Sequence, residues 1–149
     1  MSNKKGVTVV SVLIIIVVLS ILAGAITIST SYIVNDTYKK EFIREYKLVQ
    51  AATDDYVMRN SGIVDFEETM LDLNNVDSSD LAQFDGETIV DNKIEMYIID
   101  LNEIGIENST YGLGNNEKDV YLLSKATNIV YYKKGFISDG DIYYRNIED

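Results

Sequence analysis

The chain has 149 residues, a formal charge of −11, and neither cysteine, histidine nor proline. Without cysteine there is no disulfide framework and no thiolate metal site; without histidine there is no imidazole ligand and no histidine-based catalytic dyad. An excess of negative charge this large repels nucleic-acid phosphates, so direct nucleic-acid binding is not expected.

In chain order, the first feature is an apolar run with no charged side chain between Lys5 and Asp36. A helix over residues 7–28 rises ~1.5 Å per residue and covers about 33 Å, roughly one hydrocarbon core. A secretory signal peptide has an apolar core of only about 7–15 residues before its cleavage box. Despite the small residues Ala23-Gly24-Ala25, the run therefore reads as a helix retained in the lipid bilayer. Lys4 and Lys5 hold the N-terminus in the cytoplasm and place the rest outside; Lys39 and Lys40 beyond the helix are offset by Asp36 and Glu41. Ser20, Ala23, Gly24 and Ala25 are small enough for a second helix to approach closely.

Within this stretch, Lys5-Gly6-Val7-Thr8-Val9 resembles the cleavage and methylation motif, usually K-G-F-T-L-x-E, of type IV pilins and type II secretion pseudopilins. The resemblance implies a leader of residues 1–6, cut by a prepilin peptidase after Gly6, with Val7 N-methylated as the new terminus. It also implies assembly with other pilin or pseudopilin subunits by a membrane platform protein, the apolar helix packing in the core of a surface fibre. Ser11, Ser20 and Gly24 are the candidate assembly residues. Val7 replaces the usual phenylalanine, and Ser11 replaces the glutamate usually fifth in the mature chain. In such families that carboxylate, costly in lipid, is held to pair with a neighbour's terminal amine. Serine has no charge to offer, which points to a minor, tip or initiating subunit. Loss of Lys4 and Lys5 with the leader makes the chain two charges more negative.

Past the membrane the helical period continues. Tyr38, Phe42, Tyr46, Val49, Thr53 and Tyr56 recur three or four apart, a single apolar stripe with most charges elsewhere. Asn60-Ser61-Gly62 is a stop signal. The spacing predicts one spine helix from about Val7 to Arg59, roughly 80 Å long, with residues 29–60 as its soluble half. The stripe is expected to pack on the domain that follows. A coiled-coil seam is the weaker reading, because Leu or Ile is missing at the inner positions.

Residues 63–92 are polar and acidic. Asp65 followed by Glu68, with acids in the first turn, predicts a helix over Asp65–Leu71; Asp77–Phe84 predicts another short helical turn, and Asp85-Gly86 a turn. The acids do not follow the spacing of a calcium loop and read as a solvated face. From Lys93 the period becomes two: Ile94–Leu101, Asp119–Ser124, Ile129–Lys134 and Asp141–Arg145 are strand candidates. Asn128 and Asp139-Gly140 mark turns with positive φ, and the strands are expected to form an antiparallel meander. In Tyr131-Tyr132 and Tyr143-Tyr144 one ring of each pair is expected on the spine helix, leaving the other free for a ligand or for packing.

This C-terminal pattern also resembles prepilin-like proteins of Gram-positive bacteria, D-x-Y-x-x-S-x-x-T-G-x-V-Y-Y, then a glycine and a closing Y-Y strand. Asp119, Tyr121, Ser124, Thr127, Val130, Tyr131, Tyr132, Gly135, Tyr143 and Tyr144 match, and Asn128 replaces the turn glycine. No nucleophile elbow or phosphate loop is present, no cofactor is implied, and an enzyme is not expected. The expected fold is α+β and pilin-like: a long N-terminal helix, membrane-spanning in its first half, packed on a small antiparallel sheet in residues 61–149. The expected function is a structural subunit of a type IV pilus or type II secretion-like pseudopilus. The alternative is a signal-anchored extracellular binding module that does not polymerise.

Overall fold

A computed structural model describes the backbone of residues 2–113 and 118–146, and the side chains of residues 8–19, 36–113 and 118–146. The chain divides into two compact units, Met1–Tyr38 and Lys39–Asp149. A helix, α1, spans Ser2–Arg59 and so contributes to both.

In the first unit the described side chains from Thr8 to Leu19 are exposed on every side of α1. All but Thr8 and Ser11 are Val, Leu or Ile. Among the described residues no helix is long and apolar enough to cross a membrane. The expected membrane segment, residues 7–28, is described only in part, because the side chains of residue 7 and residues 20–28 lie outside the described set.

In the second unit, α1 presents Phe42, Tyr46, Val49, Thr53 and Tyr56, all buried, at the spacing one helix face requires. Tyr38, on the same stripe by spacing, is instead 53% exposed. The helix ends where the sequence signal places it. Ser61 and Gly62 take φ values of 55° and 82°. The Ser61 amide donates to Met58 O at 3.2 Å and the Gly62 amide to Val57 O at 2.8 Å, the two bonds of a Schellman cap.

The chain then forms β1 (Glu67–Asp72), a 3-10 turn (Leu81–Phe84), β2 (Ile89–Val90), β3 (Lys93–Ile98), β4 (Tyr121–Ser124) and β5 (Val130–Tyr132). These strands make one antiparallel sheet in the order β1-β3-β4-β5, with β2 also paired to β3. Two further strands, β6 (Phe136–Ser138) and β7 (Asp141–Tyr143), form a separate hairpin. Asp91-Asn92 and Asp139-Gly140 turn their hairpins with both residues at positive φ, 53° and 57° in the first and 53° and 87° in the second, which matches the twist of the flanking strands.

Alternation in the strands sends successive side chains to opposite faces, and both faces are covered. One face packs Ile99, Tyr121, Leu123, Val130 and Tyr132 on the α1 stripe. The other gathers Ile94, Met96, Leu122 and Tyr131 with Leu71, Leu73, Phe84 and Tyr144. Every residue of β4 and β5 is consequently buried.

Three expectations are corrected. Asp65–Leu71 does not form a helix; residues 67–72 form β1, because Thr69 and Leu71 pair opposite Met96 and Ile94 of β3 and sheet pairing outweighs the local capping pattern. The last strands do not extend the meander, since β6 and β7 pair only with each other. Nor do the tyrosine pairs leave a ring free: Tyr131, Tyr132 and Tyr144 are buried and Tyr143 is half-buried against the helix-side core. The reason is the cover that Phe84 and the C-terminal hairpin lay over the second face of the sheet.

Candidate functional site

The candidate assembly surface belongs to the first unit. Exposure of its aliphatic side chains runs from 49% at Val18 to 65% at Val9 without an interruption by charge. A helix apolar on all sides has no stable solution in water and calls for lipid or other helices around it. Ser11 is described and exposed within this surface. The side chains of Val7 and Ser20, the processing residue Gly6 and the assembly residue Gly24 fall outside the described set, so these expectations carry no geometry here.

The second unit is locked to its helix by polar side chains that the sequence reading did not single out. Glu45, on α1, accepts from Ser109 Oγ at 2.7 Å, from the Thr110 amide at 2.7 Å, from the Tyr111 amide at 3.1 Å and from the Tyr121 hydroxyl at 2.9 Å. Burial works to raise the Glu45 carboxyl, but these bonds to its charged form outweigh it and the pKa is lowered. The Tyr121 phenol moves the opposite way, raised by burial and by the neighbouring Glu45 charge, so it stays a donor.

One turn further along α1, Gln50 behaves like a strand neighbour. Its Nε2 donates to Asn128 O at 3.0 Å and its Oε1 accepts from the Val130 amide at 2.8 Å. Tyr46, its phenol pushed up to about 12 chiefly by burial, donates to Val130 O at 2.7 Å. The outer edge of β5 is completed by the Tyr132 amide, which donates to Tyr144 O at 2.6 Å. Gln83, in the 3-10 turn, repeats the pattern on β7: Nε2 donates to Ile142 O at 2.7 Å and Oε1 accepts from the Tyr144 amide at 2.8 Å. In both cases a side-chain amide supplies the donor and acceptor that a further strand would have supplied, which protects an edge from pairing elsewhere.

On the far face, Glu87 receives the hydroxyls of Ser124, Thr127 and Tyr131, fastening the loop before β2 to β4, β5 and their connection. Replacing Gln83 by leucine is expected to leave the Tyr144 amide and Ile142 carbonyl unpartnered, at a cost of about 1–3 kcal/mol. Denaturant unfolding measures that loss, and faster hydrogen exchange of the Tyr144 amide localises it.

An open groove of ≈ 700 Å³ lies between β1, β2 and the β4–β5 connection, lined among others by Met70, Val90, Lys93, Glu95 and Lys125. Lys125 Nζ sits 3.0 Å from a Glu68 carboxylate oxygen and 5.0 Å from the centre of the Tyr97 ring. Among the described residues, no group of three or more acidic side chains is gathered as metal ligands. The carboxylates with several partners are saturated by hydroxyl and amide donors, an arrangement suited to holding elements together rather than to moving protons.

No signal short of the fold itself marks Glu45 and Gln50, which flank the stripe on α1 and look like ordinary solvated helix residues. Comparison with known protein families, with curated proteins and with solved structures finds no match for this chain.

Proposed function

We propose that the chain is a structural subunit, of the minor or initiating kind, of a type IV pilus or type II secretion-like pseudopilus. The observation that carries this reading is Lys5-Gly6-Val7-Thr8 at the head of an apolar run whose described side chains from Val9 to Leu19 stand open to their surroundings. The second unit supports it: an amphipathic helix segment carries an antiparallel sheet through bonds from Glu45, Tyr46 and Gln50. That construction suits a mechanical part, with an apolar segment to be buried and a rigid head to be displayed.

In this reading a prepilin peptidase removes residues 1–6 and Val7 becomes the methylated terminus. Before assembly the protein crosses the bilayer once, N-terminus in the cytoplasm and residues beyond the helix outside. A platform protein then moves it into a fibre, where sister helices replace lipid around residues 7–28. Ser20 and Gly24 let those helices approach, and Ser11 supplies no charge to pair with a neighbour's amine.

The test is the mass of the mature N-terminus from cells with a prepilin peptidase, comparing wild type with Gly6→Val. The expected result is an N-methylated Val7 terminus in wild type and an unprocessed chain in the variant. A terminus at Met1 or Ser2 in both strains overturns the proposal and leaves the anchored, non-polymerising module.

A further inference from the structure

The edges of the main sheet are treated unequally. The β5 edge is closed by Gln50, Tyr46 and Tyr144, whereas β1, six residues long, is the outer strand on the other side. The Leu73 amide donates to Asn92 O at 2.8 Å, which fixes the alternation along the β1–β3 pair: residues 69 and 71 bond inward to β3. The amides and carbonyls of Glu68, Met70 and Asp72 therefore point outward, and among the described residues nothing hydrogen-bonds to them. The side chains of the same three residues share one face of the strand, beside the groove. Glu68 is 70% exposed even while it meets Lys125, and Met70 is 48% exposed.

We infer that β1 is a docking edge for an extended segment of another protein, one with two basic side chains four residues apart and an apolar residue midway between them. Adding such a strand to β1 satisfies the outward amides and carbonyls of Glu68, Met70 and Asp72. In antiparallel register its three same-face side chains lie opposite these residues, so each basic group meets an acid and the apolar group covers Met70. A second copy of this chain does not fit the edge. Antiparallel pairing of β1 with itself through its outward residues sets Met70 opposite Met70 and Glu68 opposite Asp72 at both ends, and like charges directly opposite are destabilising. The inference stands apart from fibre assembly through the N-terminal helix and survives its failure.

The experiment titrates the full-length chain in detergent micelles into fluorescein-labelled acetyl-Thr-Lys-Thr-Val-Thr-Lys-Thr-amide and reads anisotropy. The expected result is saturable binding that weakens at least tenfold when the central valine amide is N-methylated, because that amide faces β1. Exchanging both lysines for aspartate weakens it by a similar factor. Met70→Pro on the protein removes an outward donor while sparing the β1–β3 ladder, as proline at an edge position does, and is expected to weaken binding to the same degree. Absence of binding, or equal affinity for the methylated or the aspartate peptide, overturns the inference. The peptide arms need no altered protein, so they decide the matter even if the proline variant does not fold.

Discussion

Replacing Phe42 by alanine is expected to remove about 3–5 kcal/mol from the stability of the second unit, the largest single loss available on the α1 stripe. Phe42 is fully buried. Its ring stacks on Phe136 at 4.6 Å with an interplanar angle of 4° and meets Tyr111 edge-on at 5.4 Å. Beyond the area it buries, each such aromatic pair contributes about 0.5–1.5 kcal/mol, and the hole left by alanine is ringed by rigid groups that cannot collapse into it. Since domains are stable by only about 5–15 kcal/mol, this variant should lie close to unfolding at room temperature. Denaturant unfolding of the full chain in detergent is the measurement; a loss below 1 kcal/mol would mean that α1 is not the floor of this core.

Glu45→Ala is the second large effect, and it has a pH signature. The substitution leaves the donors of Ser109, Thr110, Tyr111 and Tyr121 without their shared acceptor, at a cost of about 3 kcal/mol, bonds to a charged group contributing about 1.5–3 kcal/mol each without full additivity. Because the native pKa of Glu45 is lowered from 4.5, the folded state favours the ionised form. Its contribution is complete above the unfolded value and is lost as pH falls through the lower native one. The stability gap between wild type and Glu45→Ala should therefore be widest above pH 4.5 and close as the solution is made more acidic. Unfolding curves for both proteins between pH 7 and pH 3 test this, and a gap that stays constant would rule out the carboxylate as its source.

The helix stripe and its end were legible because they rest on local rules. Phe42 to Tyr56 follow the helical period, and Asn60-Ser61-Gly62 supplies residues that tolerate positive φ. The Asn128 and Asp139-Gly140 turns were legible for the same reason, with φ of 58° at Asn128. What failed was whatever depended on a distant partner. Asp65 to Leu71 carry a convincing helix start, yet Leu71 is placed by Ile94 across the sheet. Tyr131 and Tyr144 gave no hint in sequence that Phe84, stacked on Tyr131 at 5.0 Å, would bury their face. Glutamines at 50 and 83 were unreadable, because a side-chain amide acquires its role only from the strand edge it meets.

The clamps on α1 also set a schedule for the chain. Gln50 waits for Val130, 80 residues later, Tyr46 waits 84 residues for the same strand, and Glu45 waits 76 for Tyr121. At a synthesis rate of about 5–20 residues per second, the aromatic stripe emerges roughly 4–16 s before the strands that bury it. A chain truncated before Val130 would lack the part of the cover over Phe42, Tyr46 and Val49 that Val130, Tyr132 and Phe136 supply. Residues 130–146 are thus the clasp: the head closes only after β5 and the hairpin that follows it have been made.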